Sequence, residues 1–167
     1  MKDLINDIKD RLAATQPVIR YIDEDWGQLD NYAANPPAKW PCVLVDLLYV
    51  PWTNQGDLIQ TGIAQVILRV ADLRLSNSNI KAPASQRAKA TGLLDILTSI
   101  HKKLHGWTAD SMNGPLSRIS TKRIRRDDGI REYEMIYSVQ LVDKSAQPVR
   151  DTISVTPGIR VVITKPD

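Results

Sequence analysis

The sequence predicts an α+β domain: an antiparallel β-sheet with two main helices packed on one face, plus an extended C-terminal arm. Three observations lead there. Two segments repeat apolar residues at helical spacing, several others read as strands, and the strands come in pairs separated by turn-forming residues. The chain has 167 residues, 43% of them hydrophobic and 25% charged, which suits one ordinary globular domain. The expected boundaries are a domain over residues 1–144 and an arm over residues 145–167.

The first helix is read from Leu4, Ile5, Ile8, Leu12 and Ala13, with Lys2, Asp7, Lys9, Asp10 and Arg11 on the opposite side. It should end near Thr15, because Pro17 cannot continue it. Residues 18–22 suggest a short strand. An acidic stretch over residues 23–30 follows, then a proline-rich loop over residues 35–41, too rich in Pro for a helix interior or a central strand. Residues 42–50 are apolar and β-branched and predict a strand. Residues 51–58 read as a polar turn, and residues 61–73 as the next strand. The second helix is expected from Ser85 to about Leu104, with Ala88, Leu93, Leu94, Leu97, Ile100 and Leu104 inward. Lys102 and Lys103 suit the negative end of its dipole, and Gly106 suits its C-terminal cap.

A basic hairpin over residues 116–142 is the most distinctive segment, turning at Arg126-Asp127-Asp128-Gly129. Its second arm alternates: Tyr133, Met135, Tyr137, Val139 and Leu141 share one face, and Glu132, Glu134, Ser138 and Gln140 the other. The first arm carries Arg118, Lys122, Arg123, Arg125 and Arg126, with charge on both faces. Such a strand belongs at a sheet edge or reaches past the domain toward a partner. The tail reads as extended at residues 153–155 and 159–164, divided by Pro157-Gly158.

No catalytic, cofactor or metal residues are assigned. The chain has neither a Gly-x-Ser-x-Gly elbow nor a phosphate-cradling glycine loop. His101 and His105 have the i, i+4 spacing of a metal pair, but Lys102 and Lys103 between them oppose a cation. Cys42 stands alone, so no intrachain disulfide or Cys-rich zinc site can form, and it reads as a small buried hydrophobe. The net charge of +3 does not by itself mark a nucleic-acid binder. The N-terminus lacks the pattern of a signal peptide, and no apolar run approaches the ~20 residues of a membrane span. A soluble protein made in the cytoplasm and without a membrane partner is expected.

Candidate interaction residues therefore fall into two groups of opposite sign. Asp23, Glu24, Asp25 and Asp30 form the acidic one; Arg118, Lys122, Arg123, Arg125 and Arg126 form the basic one. Grouped carboxylates could also serve a metal-dependent hydrolase, and the basic arm could bind nucleic-acid phosphates. No aromatic series interleaves with those cations to stack on single-stranded bases.

The order of elements resembles the tail terminator and neck proteins of tailed bacteriophages. The residues behind this are the opening helix from Leu4 to Leu12, the strand Pro41-Cys42-Val43-Leu44-Val45, the strand Gln65-Val66-Ile67-Leu68-Arg69, the helix carrying Leu93-Leu94-Asp95-Ile96-Leu97, and the closing hairpin. The likeness is one of architecture and spans residues 1–143. It implies a structural virion protein made in a bacterial host, forming a ring, usually a hexamer, between tail tube and head connector. The implied partners are further copies of the chain, the tail tube protein, the neck or connector proteins and DNA in the ring lumen. The arm lies outside the resemblance and is expected to reach a neighbouring subunit.

Overall fold

Both helices form where the apolar period places them. The structure, a computed structural model, describes residues 1–30, 39–73 and 76–148. Helix α1 (Lys2–Thr15) buries Leu4, Ile8 and Leu12, one residue per turn, while Ala13 stays exposed. Asp3 in its first turn complements the helix dipole. Helix α2 (Ala84–Leu104) carries His101, Lys102 and Lys103 in its last turn. Beyond the cap, Gly106 takes a φ of +79°, which glycine adopts without strain, and its N–H reaches the Leu116 carbonyl at 2.8 Å.

Six strands form one mixed sheet: β1 (Tyr21–Glu24), β2 (Cys42–Tyr49), β3 (Trp52–Gly56), β4 (Ile59–Leu73), β5 (Ser117–Ile124) and β6 (Ile130–Asp143). The order is β1-β2-β4-β6-β5, with β3 also pairing β4. Four of the pairings are antiparallel, and for β2–β4 and β5–β6 the turn signals predict it. The exception is β1, which runs parallel to β2, Tyr21 opposite Cys42. The sheet is therefore mixed, and β1 lies later in the chain than residues 18–22. Residues 51–58, read as a polar turn, contain β3. Its side chains are largely exposed, so it lacks the alternation that marks a half-buried strand.

Both helices lie on one face of the sheet. Leu4, Ile8 and Leu12 join Leu93, Ile96, Leu97, Ile100 and Leu104 in a core with Val43, Val45, Val66, Leu68, Met135 and Tyr137. On α2 the buried stripe is rotated from the expected one: Ala90 and Ile96 are inside, Ala88 is exposed, and Leu94 is 42% exposed. A second, smaller core occupies one end of the opposite face, where Leu29 covers Cys42, Leu44, Ala71 and Ile130. Cys42 is buried there, and burial pushes its thiol up to about 12. It is a packed hydrophobe, as expected.

The hairpin turns where Asp-Gly predicts. Strand β5 ends at Ile124, β6 starts at Ile130, and Gly129 has a φ of +77°. The tail strands expected at residues 153–155 and 159–164, and most of the proline-rich loop, lie outside the described residues. Just after β6, Gln147 donates from Nε2 to the Asp57 carbonyl at 2.9 Å.

Candidate interaction surface

Alternation along β4 and β6 directs one set of side chains to the helices and the other to the helix-free face. Arg69 and Glu132 belong to the second set. Glu132 lies on the polar face of β6, as its alternation predicts, yet it is fully buried, because residues 25–30 fold over this end of the sheet. A buried carboxylate must be paired. Glu132 accepts Arg69 Nε on Oε1 at 2.7 Å and Arg126 Nη1 on Oε2 at 2.9 Å.

Arg69 also recruits the acidic loop. Its Nη1 reaches Asp25 at 3.1 Å, and Nη1 and Nη2 clasp both oxygens of Asp30 at 2.8 and 2.7 Å. Burial disfavours the charged guanidinium, but the bonds to Asp30 and Glu132 outweigh it and raise the Arg69 pKa. The same bond to Arg69 holds Asp30 below the usual carboxylate range. Arg126 anchors the hairpin tip: it pairs with Asp128 through Nε at 3.1 Å and donates through Nη2 to the Leu29 carbonyl. Asp128 is lowered chiefly by that bond to Arg126.

The two charged groups read from the sequence are thus partly joined within one chain. Asp25, Asp30 and Arg126 belong to this internal network and are not free for a partner. Asp23 is half-buried. Burial raises its pKa, but the Tyr21 hydroxyl at 2.7 Å, the Glu24 N–H at 2.8 Å and Lys9 at 3.5 Å bring it below normal. Glu24 is exposed on β1. The four remaining cations stand on or just beyond β5: Arg118, Lys122, Arg123 and Arg125 are all exposed. Strand β5 pairs with β6 alone, and seven of its eight residues are exposed, so it is the edge strand its charges predict.

Arg69, Glu132 and Asp128, central to the network, were not singled out from the sequence. The available signal was a charged residue within an otherwise apolar strand, Arg69 in Ile67-Leu68-Arg69-Val70-Ala71. Such a residue needs a buried partner of opposite sign.

Beside the network the helix-free face forms a depression of about 440 Å³, lined by Asp25, Asp30, Asp46, Glu132, Glu134 and Arg69 among others. No group of three or more His, Cys, Asp or Glu among the described residues is arranged to hold a metal ion. The rings of His101 and His105 lie 4.8 Å apart between centroids, tilted by 35°, and His105 Nδ1 accepts the Arg118 N–H at 3.2 Å. Burial, then Arg118 and His105, pull His101 below its ordinary pKa. Among the described residues no helix is long and apolar enough to cross a membrane.

No family model matches the sequence, and no curated protein matches it. One solved chain of similar shape comes from a structure described as "Virion of native gene transfer agent (GTA) particle". It is 11% identical, with a TM-score of 0.38, and the match covers 81% of this chain and 84% of that one.

Proposed function

We propose that this chain is a structural virion protein of the tail terminator or neck type, a subunit of a ring between tail tube and head connector. The observation that carries the reading is the state of β5. An edge strand of eight residues, exposed at seven of them, that carries Arg118, Lys122 and Arg123 with Arg125 just beyond it, none in an ion pair among the described residues, offers a basic edge to a partner. The order of elements, which resembles those ring-forming proteins, supports the choice of partner class. The carboxylates that a hydrolase would need are engaged differently: Asp25 and Asp30 are both held by Arg69.

Light scattering coupled to size-exclusion chromatography tests this on the full chain. A ring-sized oligomer is the expected result, with annular particles in negative-stain images. A monomer at every concentration, binding DNA with an affinity that falls steeply with salt, would overturn it in favour of a nucleic-acid-binding module.

A further inference from the structure

We propose that the helix-free face of the sheet seats a second copy of this chain, which enters with the basic edge of its β5. The inference rests on the ring reading above and names the contact that would build the ring. Among the described residues, residues 25–30 cover one end of this face and none covers the rest. Over the rest, register places Tyr49 beside Gln65, Asp46 beside Ile67, and Ile67 beside Ile136. Tyr49 is 61% exposed and Ile63 58% exposed, with half-buried Ile67 and Ile136 between them and the acidic depression. Apolar groups gathered on one face that no described residue covers, with charge alongside, mark an interaction surface.

The charge of that surface selects its occupant. The depression sets five carboxylates against the Arg69 guanidinium, and Arg126 reaches only Glu132 among them. Among the described residues Asp46 and Glu134 have no ion pair, and although Lys122 stands beside Glu134 in register, the five carboxylates outnumber Arg69, Arg126 and Lys122, so the face is left acidic. The matching cations stand on the other side of the same sheet end. Arg118 is registered with Tyr137 and Arg123 with Tyr133, both on the helix side, and neither arginine has an ion pair among the described residues. Ile119, 55% exposed beside Arg118, supplies an apolar contact for the seat.

Two simpler contacts are disfavoured. Pairing β5 with the β5 of another copy would set like charges opposite one another. Extending the sheet through β1 meets an edge already occupied within the chain. The Glu24 N–H is held by Asp23 Oδ1, and the Glu24 carbonyl by Gln28 Nε2, each at 2.8 Å. Complementary patches on opposite sides of one sheet end give a head-to-tail contact, which closes into a ring when the rotation permits.

Charge reversal tests the seat on the full chain. Glu134→Arg and Arg123→Glu should each weaken self-association at least tenfold by light scattering, with the circular dichroism and urea midpoint of the parent retained. The double variant, in which every interface carries both reversals, should recover the parent oligomer. Asp46→Lys is a second acceptor-side change, because Glu134 is flanked in register by Arg69 and Lys122 and its reversal could disturb the fold. An oligomer that survives Arg123→Glu and both acceptor variants overturns this seat and leaves the ring reading standing. Loss of the oligomer with Arg123→Glu alone, the acceptor variants being silent, also overturns it, since β5 then meets a different surface. A parent that never associates overturns the ring reading itself.

Discussion

Glu132 and Arg69 meet across the β4–β6 pairing at 2.7 Å, with Glu132 fully buried and the Arg69 side chain 14% exposed. The bond ties the centre of the sheet to the acidic loop, because Arg69 also holds Asp25 and Asp30. Through its second oxygen Glu132 ties the same centre to the hairpin tip. Sheet, loop and hairpin share one carboxylate.

Removing that carboxylate should be costly. In Glu132→Ala two guanidinium groups lose a fully buried partner; breaking a buried pair costs roughly 3–5 kcal/mol, and because Arg69 keeps Asp25 and Asp30 and Arg126 keeps Asp128, the loss should fall toward the lower end of that range. Urea unfolding of the variant measures it. The joint change Arg69→Met with Glu132→Leu should cost much less, since it leaves less buried charge unpaired. A loss below about 1 kcal/mol for Glu132→Ala would mean that water reaches Glu132 and that the network lies at the surface.

The acidic limb of the stability profile should carry the mark of Asp30. Its pKa is lowered in the folded state, first by the bond to Arg69. The unfolded value lies at about 3.9. Between the folded and unfolded values the unfolded chain binds more protons, so stability rises with pH there. The stabilisation is therefore present above the unfolded value and lost as pH falls through the folded one. The stability difference between the parent and Asp30→Asn should shrink from pH 6 to pH 2. A difference independent of pH would show that Asp30 does not bond Arg69 in solution. The effect is modest, because the Asp30 side chain is 66% exposed.

The sequence made the fold class legible because period and turn chemistry are local. Leu4, Ile8 and Leu12 announce α1, Tyr133 to Leu141 announce β6, and Asp128-Gly129 announces the turn between β5 and β6. The parallel pairing of β1 was not legible, since direction depends on how the intervening chain returns and not on the four residues of the strand. Strand β3 was missed because its exposed side chains follow no alternation. For the candidate surface, the edge position of β5 followed from charge on both of its faces. The union of Asp25, Asp30 and Arg126 did not, because the residue that joins Asp25 and Asp30, Arg69, sits 39 positions beyond Asp30. Opposite charges far apart in sequence can meet within a chain or between chains, and only tertiary structure separates the two.

The face of α2 gives a paired prediction. Ile100 is fully buried and Leu94 is 42% exposed, although the helical period admits both to the inward stripe. Ile100→Ala should cost about 2–5 kcal/mol, the range for truncating a buried aliphatic side chain. Leu94→Ala should stay within about 0.5 kcal/mol of the parent, as exposed positions do. Equal losses in urea unfolding would mean that α2 is rotated from the position described.

Gly62 should resist any side chain at all. It lies in β4 opposite Trp52, where β2 gives way to β3 through Val50 and Pro51. A Cβ placed on it would stand 2.9 Å from the Pro51 carbonyl oxygen, 2.9 Å from Val50 Cγ1 and 3.0 Å from the Trp52 ring. The flexible end of a long side chain could yield, but the Pro51 oxygen is backbone, and Val50 and Trp52 pack against the main core. Gly62→Ala therefore has to move the join between β2 and β3. Overpacking of this kind costs roughly 1–3 kcal/mol, whereas glycine to alanine in an open strand would be neutral or stabilising. The sign of the change in the urea midpoint decides the matter: a stabilised Gly62→Ala would show that the Val50-Pro51 segment does not press on β4.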